Sequence, residues 1–134
     1  MHTIEIRTTA HSQMVDITGQ VAEFVSKMGV KEGACMVWIP HTTAGVTINE
    51  NADSDVVRDI LSALDKAVPW KADYRHGEGN SAAHVKASMM GSSVLIPVEN
   101  GRLVLGTWQG VYFCEFDGPR SRRVYLQMLS SVGM

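Results

Sequence analysis

Residues 93–105 read Ser93-Val94-Leu95-Ile96-Pro97-Val98-Glu99-Asn100-Gly101-Arg102-Leu103-Val104-Leu105. Two apolar runs, 93–98 and 102–105, flank Glu99-Asn100-Gly101. Asn-Gly between apolar runs is the strongest local hairpin signal in the chain, so this stretch predicts antiparallel strands. Downstream, residues 107–116 form a long strand in which Gly110 marks a bulge or a close backbone approach. Gly118-Pro119 is a turn. Residues 123–128 alternate, with Val124, Leu126 and Met128 on one face.

Upstream, Ile4, Ile6 and Thr8 alternate with polar residues and predict a strand with one buried face. Asp16 is placed to cap a helix whose stripe is Ile17, Val21, Phe24, Val25 and Met28, closed by Gly29. Residues 33–39 are continuously apolar, which predicts a strand covered on both faces and ended by Pro40. Residues 43–48 read as another strand. Asn51, Asp53 and Ser54 offer caps for a second helix on Val56, Val57, Ile60, Leu61, Leu64 and Val68, closed by Pro69 and Trp70. Residues 73–83 read as a polar loop and 84–90 as a short helix. Helices early and hairpin strands late predict an α+β fold with two main helices and a mostly antiparallel two-sheet sandwich.

Composition narrows the function classes. The 134 residues suit a single domain, 1–134, long enough for a hydrophobic core without disulfides or a structural metal. Hydrophobic residues at 45% and charged residues at 19% are an ordinary globular balance. A net charge of −2 offers no basic footprint for nucleic acid or an anionic membrane. No apolar run is long enough to span a bilayer, and the alternating start His2-Thr3-Ile4-Glu5-Ile6-Arg7 has no signal-peptide core. Cys35 and Cys114 lie in apolar stretches and read as buried reduced thiols. The expectation is a cytoplasmic protein without nucleic-acid or membrane partners.

Chemistry concentrates in three segments: residues 40–53, 74–84 and 106–120. His41 follows a buried strand and a proline, at the kind of strand end where sites are built. His76 and His84 flank a glycine-bearing loop. Three converging imidazoles would hold a divalent metal with an open position; alternatively one serves as general acid or base and another contacts an anion. Taken singly, each is more often a hydrogen-bonded loop histidine, and the spacing matches no short ligand motif. Glu50 and Glu78 are candidate bases, whereas Asp53 is explained by helix capping. Glu115 lies among apolar neighbours and needs a partner if it faces inward. Thr42, Thr43, Asn80, Ser81 and Gln109 offer polar contacts, and Gly77 and Gly79 allow close backbone approach to an anion. Arg120 is either a phosphate clamp or a residue of the turn that pairs with Asp117 or is simply solvated. Lys86, His2 and His11 read as surface, and Trp108 as core or pocket wall.

Three blocks resemble the signature of the YjbQ-like family: 41–53 beginning His41-Thr42-Thr43-Ala44-Gly45, 76–84 from His76 to His84, and 105–120 ending Asp117-Gly118-Pro119-Arg120. The resemblance covers nearly the whole chain. It implies a small α+β sandwich that assembles as a homotrimer, with His41, His76 and His84 in a pocket and Glu50, Asn80 and Arg120 as further pocket residues. It also implies weak thiamine-phosphate synthase activity, in which a pyrimidine diphosphate and a thiazole phosphate condense and release pyrophosphate. A small phosphorylated metabolite is then the expected ligand and a divalent metal, Zn or Mg, the expected cofactor. The competing expectations are a metal-dependent hydrolase using Glu50 or Glu78 as base, and a non-enzymatic metal- or metabolite-binding trimer with a three-histidine site.

Overall fold

A computed structural model describes residues 1–131 of the chain; the last residues of the expected 1–134 domain, 132–134, lie outside it. The hairpin that anchors the sequence reading is present. Strand β5 (Ser93–Glu99) pairs antiparallel with β6 (Arg102–Leu103), Glu99 opposite Arg102. Asn100 and Gly101 both have positive φ, 52° and 75°, the backbone that a two-residue turn of this twist requires.

The other strands are β1 (His2–Arg7), β2 (Gln13–Asp16), β3 (Glu32–Trp38), β4 (Ala44–Glu50), β7 (Gln109–Glu115) and β8 (Ser121–Ser130). A five-stranded sheet runs β1-β8-β3-β5-β6 and a three-stranded sheet runs β2-β7-β4, with every pairing antiparallel. The expected α+β two-sheet architecture is therefore present. Three helices accompany it: α1 (Thr18–Met28), α2 (Ser54–Ala67) and α3 (Ser81–Met90). The third begins at Ser81, ahead of the expected start, because Ala82 and Ala83 are fully buried and let the first turn pack closely.

Between the sheets lies the larger core, with Ile4, Cys35, Val37, Val46, Ile96, Phe113 and Leu126 among its members and Val21 and Val25 of α1 packed into it. Full burial of side chains of this size contributes about 1.5–3 kcal/mol each. A smaller core on the other side of β7 joins Tyr112, Cys114 and Phe116 to α2 and α3 through Ala83, Ala87, Ile60 and Leu64. The chain thus stacks a five-stranded sheet, a three-stranded sheet and a helical layer. Strand β7 is the strand buried on both faces. The expectation of double cover for residues 33–39 is corrected. Cys35, Val37 and Ile39 face inward, while Met36 is half-buried and Trp38 exposed on the outer face of the sheet.

Local signals account for the helix starts. Asp53 caps α2 by accepting the Asp55 N–H at 2.9 Å. Asp16 acts one residue before the cap position of α1, where it accepts the Thr18 N–H at 2.9 Å. Gly110 marks close approach, since a Cβ there would lie 2.4 Å from Asn51 Nδ2. Lys86 is a further correction: it is buried on α3 and its ammonium pairs with Asp65 of α2, its stem lying along the helix interface. Trp108 is not core but lies exposed in the turn before β7.

Candidate functional site

His41 follows β3 and Pro40 at one end of the sandwich, beside the start of β4. The loop before α3 brings His76, Glu78 and Asn80 to the same end, and α3 adds His84 from its first turn. The turn between β7 and β8 adds Arg120. These residues, with Thr42, Thr43 and Arg122, line one cavity of about 440 Å³. All three polar segments read from the sequence contribute to it.

Beneath the cavity lies a buried ion pair. Arg122 and Glu115 face inward from β8 and β7, their side chains 3% and 0% exposed. Arg122 Nε donates to both Glu115 oxygens, at 2.9 and 3.1 Å, and its Nη2 donates to Glu115 Oε2. Nη2 also donates to the Thr43 hydroxyl at 2.8 Å. Glu115 accepts further bonds from the Thr8 hydroxyl at 2.8 Å and the Asp117 N–H at 3.1 Å. Burial pushes the Glu115 carboxyl up, but its bonds to Arg122, Thr8 and Asp117 outweigh this and hold it below the usual carboxylate range. The inward carboxylate has the partner its position demands.

His41 is fixed by a backbone bond: its Nε2 accepts the Arg123 N–H at 2.9 Å. Burial, then the nearby Arg122 charge, hold its pKa below the ordinary histidine value. With Nε2 an acceptor, the neutral ring carries its proton on Nδ1. His76 and His84 meet edge-on, ring centroids 5.3 Å apart, and His76 Nε2 lies 4.0 Å from Glu78. Arg120 is tied to Asp117, with Nε donating to its carbonyl at 2.8 Å and Nη2 to its carboxylate at 3.2 Å. Asn80 Nδ2 donates to the same carboxylate at 2.9 Å, while Asn80 Oδ1 is buried without a partner.

Among the described residues, no group of three His, Cys, Asp or Glu side chains is placed to share a metal ion. His41 has also committed Nε2 to the backbone. The three histidines therefore share a cavity without forming a ready ligand trio.

Not every expected residue comes to this cavity. Glu50 and Gln109 are paired at the opposite end of the β4–β7 ladder from Ala44 and Glu115, roughly 20 Å away at the rise of a seven-residue strand. Glu50 accepts the Tyr112 hydroxyl through its backbone carbonyl, and Gln109 Oε1 accepts the Gly106 N–H. Ser81 opens α3 and is not a cavity-lining residue. Conversely, Arg122 lines the cavity without having been expected. Its signal was parity: it shares a strand face with Val124 and Leu126, so a charge there had to be buried and paired.

The profile of the UPF0047, YjbQ-like proteins matches residues 2–131. The chain belongs to the YjbQ-like UPF0047 family. YugU of Bacillus subtilis, a UPF0047 protein, is 53% identical over 130 residues, an alignment covering 96% of this chain and 98% of that one. The UPF0047 protein YjbQ of Salmonella typhimurium is 38% identical over 118 residues, covering 83% of this chain and 86% of the relative. A crystal structure of a YjbQ/UPF0047 family protein from Clostridium acetobutylicum superposes with a TM-score of 0.95 at 55% identity, covering 96% of this chain and 100% of that one. A YjbQ-like protein from Sulfolobus solfataricus gives 0.94 at 33% identity, covering 97% and 96%. Among the described residues of this UPF0047 chain, no helix is long and apolar enough to cross a membrane.

Proposed function

We propose that this YjbQ-like chain is a small cytoplasmic enzyme that binds a phosphorylated metabolite in the histidine-walled cavity and catalyses a transfer reaction that releases an anion. The observation that carries this reading is the gathering of His41, His76, His84, Arg120 and Arg122 around one cavity, with Thr42 and Asn80 beside them. Cationic groups and N–H donors dominate that lining, and Glu78 is its one acidic member.

In its specific form the reaction is thiamine-phosphate synthesis. The ring nitrogen of a thiazole phosphate attacks the methylene carbon of a pyrimidine diphosphate. The carbon–oxygen bond breaks, and pyrophosphate leaves with the electron pair. Such departure is favoured by donors already aimed at the leaving oxygens. Arg120 and Arg122 are groups of that kind, and neutral His41 adds an N–H from Nδ1. A divalent cation such as Mg²⁺ would enter with the diphosphate as part of the substrate. The test is pyrophosphate release by the purified protein supplied with both substrates and Mg²⁺. Turnover that falls about tenfold or more in His41→Ala and Arg120→Ala is expected; a wild-type protein that releases no pyrophosphate sinks the transfer reading.

A second reading, a metal-dependent hydrolase or a non-enzymatic metal-binding protein, draws on the edge-on His76–His84 pair and the adjacent Glu78. Near-stoichiometric zinc in untagged protein, lost in His76→Ala or His84→Ala, would favour it over transfer.

Assembly as a homotrimer belongs to the same proposal. Its support is the outer face of the five-stranded sheet, where the registers put Met36, Trp38, Leu95, Tyr125 and Leu129 side by side. Leu95 and Leu129 are exposed there, and Trp38 stacks on Tyr125. Apolar surface of this kind marks association. Sedimentation equilibrium checks it, and a monomer at micromolar concentration would count against it. The cytoplasmic assignment draws on Cys35 and Cys114, both free and buried. Burial pushes their thiols up to about 11 and about 12, away from the reactive thiolate form.

A further inference from the structure

Arg122 is held on one side only. Its Nε and Nη2 are committed to Glu115 and Thr43. Nη1 donates to no described residue, although the side chain is only 3% exposed. Among the described residues, the one side-chain atom that is both sealed from solvent and unpartnered is Asn80 Oδ1, so Nη1 keeps access to open space. Arg122 lines two open spaces: the histidine cavity and a neighbouring cavity of about 500 Å³ that it shares with Glu5, Arg7, His41 and Arg123. A guanidinium stays charged throughout the working pH range and holds its donors in a rigid fork. Fixing Nε and Nη2 therefore fixes the direction in which Nη1 presents its N–H groups.

We propose that Arg122 is the anion anchor of the cavity floor, with Nη1 donating to an oxygen of a phosphate or carboxylate group and Glu115 as the positioning residue that aims it. This inference rests on the reading of the cavity as the site of an anionic metabolite, and it names the group that meets the anion at its deepest point. Glu115 cancels much of the long-range field of Arg122, so the anchor works by directed hydrogen bonding. Arg120 at the rim is likewise paired, with Asp117, but in a more exposed position from which it can turn toward a ligand. A lysine at 122 keeps the charge opposite Glu115 but has no second prong to offer the cavity.

The experiment titrates inorganic pyrophosphate, and separately malonate, into the wild type, Arg122→Lys and Arg120→Ala, following affinity and the side-chain ¹⁵N–¹H signals of Arg122. In the wild type, pyrophosphate is expected to shift the Nη1 signals. Arg122→Lys is expected to unfold cooperatively and bind about tenfold or more weakly, the scale of one hydrogen bond to a charged group. Malonate shifting the same signals in place of pyrophosphate supports the anchor and assigns it a carboxylate. A folded Arg122→Lys that binds as tightly as the wild type overturns the anchor; the cavity reading survives if Arg120→Ala alone weakens binding. A wild type that binds neither anion overturns both. Should Arg122→Lys fail to fold, the wild-type signals decide: no Nη1 shift at saturating anion means that water, not ligand, occupies that donor.

Discussion

Two arginine–carboxylate pairs border the same cavity. On the floor, Arg122 and Glu115 have side chains 3% and 0% exposed, and Glu115 accepts from three different residues. At the rim, Arg120 and Asp117 form a pair of the same chemistry, with side chains 49% and 16% exposed. Water screens the second pair and scarcely reaches the first, so their contributions to stability separate sharply. The floor is built with the fold and arrives in one orientation. The rim can rearrange around a ligand at little cost. A site that must orient one group and adapt to the remainder has use for both.

The largest expected break in this contrast comes from Arg122→Met. It leaves a carboxylate buried without its cation, and a loss of about 3–5 kcal/mol is expected in urea unfolding at neutral pH. The pH dependence of that loss sharpens the point. In the wild type, the lowered Glu115 pKa contributes stability that is present above the usual carboxylate range and lost as pH falls through the folded value. In Arg122→Met only the Thr8 and Asp117 bonds still oppose burial, so the Glu115 pKa rises relative to the wild type and the penalty shrinks on acidification as the carboxyl takes up a proton. A penalty constant from neutral pH to pH 4 would contradict the buried-pair account.

Next in size is Thr8→Val, which removes the hydroxyl that donates to Glu115 and accepts the Arg120 N–H. About 1–3 kcal/mol is expected, read by the same unfolding experiment. At the rim, Arg120→Ala is expected to cost no more than about 1 kcal/mol while weakening anion binding. Comparable losses in Arg120→Ala and Arg122→Met would erase the distinction between rim and floor. Smallest is the contribution of His41 protonation. Its lowered pKa means that stability falls slightly as pH drops below the ordinary histidine value, because the unfolded chain takes up the proton first. Titration of its ring signals by NMR, with a midpoint below that of a free histidine, checks the direction.

The sequence exposes local features better than distant ones. The 93–105 hairpin and the Asp53 cap depend on neighbours within a few residues, and both appear as read. The short strand β2 carries too little pattern in its four residues to stand out. Helix α3 starts in residues that read as loop because Asn80 and Ser81 are polar and its buried face consists of small alanines and a lysine, Ala82, Ala83, Lys86 and Ala87. For the site, His41, His76, His84, Asn80 and Arg120 could be singled out by type and motif, and folding brings them together. Glu50 and Gln109 share those motifs but sit at the far ends of straight strands, and motif adjacency does not reveal the direction in which a strand carries its residues. Arg122 is hard to single out because the apolar alternation of Val124, Leu126 and Met128 begins two positions after it.

The double cover of β7 has a further consequence. Odd positions Val111, Phe113 and Glu115 belong to the space between the sheets, and even positions Tyr112, Cys114 and Phe116 to the helical layer. Inserting or deleting one residue in this strand would exchange the two sets. The carboxylate under the cavity would then point into the alanine-lined face of α3, and the guanidinium of Arg122 would meet Phe116 after a deletion or Cys114 after an insertion. Length in this strand is therefore under tighter constraint than identity, and indels are expected to be tolerated in the turns at its ends and nowhere between them.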